Sequence, residues 1–130
     1  MKWRKDFSLL QIDLVKGNHD ILADNWYAAA DIQVHEWKLA AGPFLFLHDK
    51  KAEKDLTEEE LKKYRFTGHV HPAITLKGKG KQTLRFPCYY FTKDVAVLPA
   101  FSRFTGGFKV EPKKGDQVFA LVDDGIMQLS

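Results

Sequence analysis

Three short stretches of the chain gather residues that bind divalent cations and move protons. The first is Gly17-Asn18-His19-Asp20, directly after the apolar run Leu9-Leu10-Gln11-Ile12-Asp13-Leu14-Val15. Glycine allows a sharp turn and a close backbone approach. An Asn amide oxygen is a hard, neutral ligand. A free histidine can protonate a leaving group or contact a phosphate oxygen, and a neighbouring carboxylate can orient it. Taken alone, these four residues suit an ordinary polar turn equally well. The second feature is His48, which closes Phe44-Leu45-Phe46-Leu47; a single histidine there is more often a hydrogen-bonded structural residue. The third is Gly68-His69-Val70-His71-Pro72. Proline drives the residue before it out of the helical region, so an extended segment is expected here. In an extended segment His69 and His71 share one face, and two imidazoles so placed suit Zn, Mn or Fe.

Each of these stretches follows an apolar run, so all three are expected at one edge of a β-structure, where the sites of layered α/β folds collect. Residues 9–15 read as the end of a helix or loop leading into a short buried strand stopped by Gly17. Residues 21–30 suit a short helix. Residues 32–38 alternate at period two, and Ala41-Gly42-Pro43 reads as a hairpin connection to a strand over 44–47. In the charged stretch 50–63, Thr57 followed by Glu60 forms a capping box for a short exposed helix. Beyond Phe66 strands dominate: 73–76, 83–91, 95–98, 108–110, 117–122 and 126–129. Turns are expected at 78–81, 93–94, 114–116 and 123–125. The fold class is α/β and β-rich, in one domain over 1–130.

Composition narrows the classes further. With 45% hydrophobic and 28% charged residues among 130, the chain is long and apolar enough for a core, which excludes a disordered class. A net charge of +3 permits an anionic substrate without requiring one. Cys88 is the one cysteine. It sits among aromatics as a small core residue, and a reducing cytoplasm is its natural setting. No apolar run approaches the roughly 18 residues that span a bilayer, and the charged N-terminus is not followed by a signal-type apolar region.

In order and type, the three motifs resemble the last three of the five metal-site blocks of the calcineurin-like metallophosphoesterase superfamily. Further likeness, in Gly68-His69-Val70-His71-Pro72-Ala73, Leu84-Arg85-Phe86-Pro87-Cys88, Leu98-Pro99-Ala100-Phe101 and Phe104-Thr105-Gly106-Gly107, is to the bacterial ligase-associated DNA-damage-response phosphoesterases. Two departures from that pattern are Ser102, where glycine is usual, and Asp49-Lys50 after His48. The resemblance implies a two-sheet sandwich with flanking helices and a site holding two divalent cations, with Mn the preferred choice and Fe, Ni or Zn acceptable. It also implies that Asn18, His48 and His69 hold one cation and that His71 helps hold the other. His19 would contact the scissile phosphate with Asp20 holding its ring, while a metal-bound hydroxide attacks a phosphodiester, DNA among the candidate substrates.

The two earlier blocks of that superfamily, Asp-x-His and Gly-Asp, have no counterpart before Gly17. Asp-x-His occurs nowhere, and the one Gly-Asp, Gly115-Asp116, falls late and in an expected turn. The resemblance thus implies a partial domain whose N-terminal portion, with half of the metal ligands, is missing. An apolar face at Leu10, Ile12, Leu14, Phe44 and Phe46 is then expected to be exposed or covered by a partner chain or second copy. Two other classes compete: a catalytically inactive metal-binding remnant, and a nucleic-acid-binding β domain. The second is suggested by Arg85, Phe86, Arg103, Phe104 and Lys109, although aromatics alternating in this way also suit a core.

Overall fold

A computed structural model describes residues 2–78, 80, 82–102 and 106–129. Lys79 and Lys81 of the expected 78–81 turn, and Arg103, Phe104 and Thr105, lie outside the described residues. The chain folds into two sheets, one of two strands and one of nine, with short helices between them. This is the β-rich α/β class that the alternating patterns indicate.

The small sheet pairs β1 (Ile12–Val15) in parallel with β2 (Ile32–His35). Helix α2 (Asp24–Ala29) makes the crossover between them and buries Tyr27. Ahead of β1, helix α1 (Lys2–Asp6) is tied down by Arg4, which pairs with Asp31 and donates to the carbonyls of Phe7 and Leu10 at 2.6 and 2.7 Å. The strand expected over 32–38 is in fact two. The chain bends at Glu36 and Trp37, then resumes as β3 (Lys38–Ala41) in the other sheet. Period two continues across the bend, so alternation alone does not reveal the change of sheet.

In the large sheet, β3 forms a hairpin with β4 (Phe44–Leu47) through Gly42, whose φ of +55° favours glycine. Between β4 and the next strand, the chain makes a 3-10 segment (Lys50–Asp55) and helix α3 (Glu58–Leu61). The Thr57–Glu60 capping box of α3 is formed in both directions. Strand β5 (Tyr64–Thr67), not expected from the sequence, lies parallel to β4 and to β8 (Val95–Val97). Only one of its faces is apolar: Tyr64 and Phe66 pack against Phe44 and Phe46, while Arg65 and Thr67 are buried on the other face. Arg65 is satisfied by Glu53 at 2.8 Å and the carbonyl of Leu61 at 2.7 Å, which fastens the 3-10 segment and α3 to the sheet.

The C-terminal half adds β6 (Pro72–Lys77), β7 (Thr83–Phe91), β9 (Phe108–Lys109), β10 (Gln117–Val122) and β11 (Gly125–Leu129). Strand β7 changes partner along its length. Thr83–Pro87 pairs with β6, whereas Cys88–Phe91 pairs with β10. Pro87, which cannot donate to a ladder, marks the switch. The core gathers around it, with Cys88, Val110 and Val118 buried against Ile74, Tyr90 and Leu129. Burial pushes the Cys88 thiol up to about 11, so it is an inert core group. Asp116 of the late Gly-Asp accepts from Tyr90 at 2.5 Å and from the Lys113 amide at 2.9 Å, which is a turn-closing role. Of the five residues expected on an apolar face, Leu10 and Phe44 are 56% and 41% exposed, and Ile12, Leu14 and Phe46 are half-buried.

Candidate metal centre

The site collects where parallel strands end. Asn18 follows β1, His48 follows β4 and His69 follows β5. The β4 and β5 exits are locked together by the Gly68 amide donating to the His48 carbonyl at 3.0 Å. The Gly17–Asp20 turn is closed by its own carboxylate: Asp20 Oδ2 accepts from the Gly17 amide at 2.7 Å, and the Asp20 amide donates to the Gly17 carbonyl at 3.2 Å. Gly17 is required for a second reason. A Cβ built there would stand 2.6 Å from both Cε1 and Nδ1 of His48, so the imidazole lies flat on glycine backbone where no side chain fits.

Three donor atoms converge on one point. His48 Nε2 is 2.8 Å from Asn18 Oδ1 and 3.0 Å from His69 Nδ1, with the two rings edge-to-face. A proton on Nε2 can serve only one of these neighbours. Ligand atoms about 2.1 Å from one cation and 90–110° apart stand about 3.0–3.4 Å from each other; the His48–His69 pair lies at the edge of that range and the His48–Asn18 pair, at 2.8 Å, falls slightly short of it. His48 titrates below its ordinary value, first through burial and then through His69 beside it, against the opposing pull of Asp20 and Asp49. The lowered value favours the neutral, ligand form of the ring. The donor set is two imidazoles and an amide. Among the described residues no group of three or more His, Cys, Asp or Glu is arranged to hold a cation.

One expectation is corrected. His69 and His71 do not share an extended face, because both adopt left-handed backbone, with φ of +59° and +50°. The Gly68–Pro72 loop makes a tight turn there, its Val70 amide donating to the Gly68 carbonyl at 2.7 Å. His69 enters the cluster, while His71 lines a separate cavity with Arg85 and Gly107. Asp20 Oδ2 accepts from the Gly17 amide in closing the turn, and no hydrogen bond joins Asp20 to His19 among the described residues. His19 itself is exposed beside the cluster, one residue from Asn18.

Sequence reasoning missed Asp49 as a site residue. Its Oδ1 caps the 3-10 segment through the Lys51 amide at 2.9 Å, and its Oδ2 stands 3.7 Å from His69 Nε2, on the far side of that ring from His48. At that distance the carboxylate faces the ring electrostatically without a hydrogen bond, and the adjacency of Asp49 to a strand-end histidine was the available signal. Asp13 and His35 were missed as well. They clip β1 to β2 at 2.7 Å, and Asp13 lines the cleft of about 370 Å³ between the sheets together with His48, Phe66 and Thr67. The Thr67 hydroxyl is buried there without a hydrogen-bond partner among the described residues.

No protein-family model and no curated protein matches the chain. Among solved structures it is similar to the crystal structure of the Pseudomonas putida nuclease MPE, with a TM-score of 0.75 and 30% identity. The match covers 98% of this chain and 58% of that one, so the chain spans little more than half the length of that protein.

Proposed function

We propose that this chain carries one cation-binding half of a metal-dependent phosphoesterase site, of the calcineurin-like superfamily and nearest the ligase-associated DNA-damage-response phosphoesterases. The observation behind this reading is the convergence of Asn18 Oδ1, His48 Nε2 and His69 Nδ1, brought together from three strand ends. The likeness at 30% identity to a chain described as a nuclease supports a hydrolytic, nucleic-acid-directed reading. The substrate class is a phosphodiester, DNA among the candidates, and the proposed ions are divalent, Mn first and Fe, Ni or Zn as alternatives.

A divalent cation, when bound, supplies Lewis acidity toward a phosphoryl oxygen and an activated water. The chain's own residues do the rest. Asn18 contributes a neutral oxygen, which leaves the ion its full charge for the substrate. His48 is pinned on Gly17, and His69 is faced by Asp49. His19, exposed at the turn, is free to reach a substrate oxygen and pass a proton to the leaving group. Asp20 supports it indirectly by fixing the turn that carries both His19 and Asn18. His71, two residues beyond His69, is the ligand this chain offers a second ion. Leu10 and Phe44 give an apolar face for a partner chain or a second copy, and the buried thiol of Cys88 suits a reducing cytoplasm. Among the described residues no helix is long and apolar enough to cross a membrane.

A catalytically inactive metal-binding module is the second reading, favoured by a donor set with no carboxylate at its centre. Titration with Mn²⁺ by calorimetry, paired with hydrolysis of bis-p-nitrophenyl phosphate and plasmid DNA, separates the two. Wild type is expected to bind Mn²⁺, with His48→Ala and His69→Ala each weakening it at least tenfold and Asp116→Asn leaving it unchanged. Equal binding by wild type and both histidine variants would discard the site. Mn²⁺-dependent hydrolysis that is lost in His69→Ala would discard the second reading; half a site on its own is expected to bind Mn²⁺ and to hydrolyse poorly.

A further inference from the structure

The Gly68–Pro72 loop, besides placing His69 in the cluster, borders a cavity that is lined by neither Asn18, His48 nor His69. This cavity, of about 210 Å³, is lined by His71, Arg85, Pro87, Ala100, Ser102 and Gly107, among others. Its position follows from the strand pairing. Ala73 faces Pro87 and Thr75 faces Arg85 across β6 and β7, so Arg85 and Pro87, two residues apart, present the same side as Ala73. Gly107 lines the cavity just ahead of β9, which joins β6 in parallel and whose Phe108 amide donates to the His71 carbonyl at 2.8 Å. Gly107 makes that approach possible, since a Cβ there would stand 2.7 Å from Ala73 Cβ and 3.3 Å from the His71 carbonyl oxygen.

Arg85 stands out on this wall. It is exposed, and its guanidinium has no hydrogen-bond or ion-pair partner among the described residues. The other described arginines, Arg4 and Arg65, are each held by a carboxylate and by backbone carbonyls. A guanidinium offers a planar fork of donors matched to phosphate oxygens. His71 borders the cavity in left-handed backbone at φ +50°, a strained state that persists where surrounding structure imposes it. His71 and His69 are two residues apart, at most about 7.6 Å between Cα atoms, so one strand can address both the centre and the cavity.

We propose that the cavity walled by Arg85 and His71 is a phosphate subsite, which takes a phosphate of a nucleic-acid strand next to the phosphodiester held at the Asn18–His48–His69 centre. The inference rests on the phosphoesterase reading for its substrate, but its test does not depend on metal. Binding of a fluorescein-labelled single-stranded DNA dodecamer is followed by anisotropy in EDTA at a series of salt concentrations. Arg85→Gln is expected to weaken binding about tenfold and to reduce the slope of log K against log salt by about 0.7, the value for one phosphate contact on a single strand. Arg85→Lys keeps the slope but not the full affinity, because it preserves charge and loses the fork. Ala100→Trp fills the cavity while leaving the charge in place, and is expected to weaken binding as well. Three results overturn the subsite: no binding by wild type, an unchanged slope in Arg85→Gln, or full binding by Ala100→Trp. Mn²⁺ titrations of His48→Ala and His69→Ala report separately on the metal reading. Retained metal binding in those variants beside a lost slope in Arg85→Gln would sink that reading and leave the subsite standing.

Discussion

The candidate centre straddles two sheets of very different build. His48 and His69 leave a nine-stranded sheet whose strands bury Leu45, Thr67, Cys88, Ala96, Val118 and Ala120 almost completely. Asn18 and His19 leave a two-stranded sheet in which no β1 residue is buried. The small sheet is held instead by side-chain clips: Asp13–His35 between its strands, Arg4–Asp31 at its edge, and Lys16–Glu36 at 3.4 Å. Two of the three donors are thus carried on a well-packed platform and the third, Asn18, on a thin one. The site forms only while the thin one stays docked across the cleft. Its meeting point with the platform is the His48 ring lying on Gly17.

The largest expected effect tests that contrast in stability. Leu45, fully buried in β4, should cost about 2–5 kcal/mol on replacement by alanine. Half-buried Leu14 in β1 should cost about 1 kcal/mol. Urea denaturation of both variants reads the difference directly. Equal costs would mean that the small sheet shares the main core, and the contrast would be wrong.

The next effect falls on function rather than stability. Gly17→Ala puts a methyl group where the His48 ring lies, 2.6 Å from two of its atoms. The ring must move away from Asn18 and His69, so Mn²⁺ affinity should drop about 10–100-fold, the range seen when support for a ligand is lost. Because Gly17 lies outside the large sheet, the urea midpoint should barely move. A variant that binds Mn²⁺ like wild type would show that His48 has room to spare.

How much of this was legible beforehand differs between the sheets for physical reasons. The hairpin strands of the large sheet pair locally and alternate strongly, so β7 and β10 fall where patterning places them, and the capping box of α3 is explicit in Thr57 and Glu60. Strand β5 was hidden because Arg65 and Thr67 occupy one of its buried faces, and a buried arginine reads as a surface residue until its carboxylate is found. The join of Asn18, His48 and His69 was readable from motif order. The parting of His69 from His71 was not, because the rule for residues before proline favours extended backbone and this loop overrides it at φ +50°. Asp49 escaped notice because its role depends on where the His69 ring points.

A smaller effect should appear in the pH dependence of the metal-free protein. Burial and the neighbouring His69 lower the His48 pKa below its ordinary 6.5. The unfolded chain therefore takes up this proton first as pH falls, and stability drops from about pH 6.5 downward until the folded ring also protonates. Above that window His48 makes no such difference. His48→Gln, which cannot titrate, should flatten this part of the urea-midpoint profile. A profile unchanged by the substitution would place the acid sensitivity elsewhere, on the thin sheet in the first instance.

The smallest expected effect is confined to that thin sheet. Asp13 lies one strand across from His35, accepting from or facing its Nε2 at 2.7 Å, and Gln11 donates to its other oxygen at 3.0 Å. The His35 contact, ahead of the opposing effect of burial and with help from Gln11, holds the Asp13 carboxyl below its ordinary 3.8. A carboxylate so lowered contributes stability above pH 3.8, and that contribution is lost as pH falls through the lowered value. The group is solvent-accessible, so the contribution is local and small. Asp13→Asn removes the charge and keeps the shape, and should speed amide exchange in β1 and β2 at neutral pH by a few-fold. Exchange in β4 and β5 should stay as it is, because their ladders do not include Asp13. At pH below the lowered carboxyl value, wild type and variant should exchange alike. If Asp13→Asn instead loosened β4 and β5 to the same degree as β1, the two sheets would open as one cooperative unit, and the division between platform and rider would have to be abandoned.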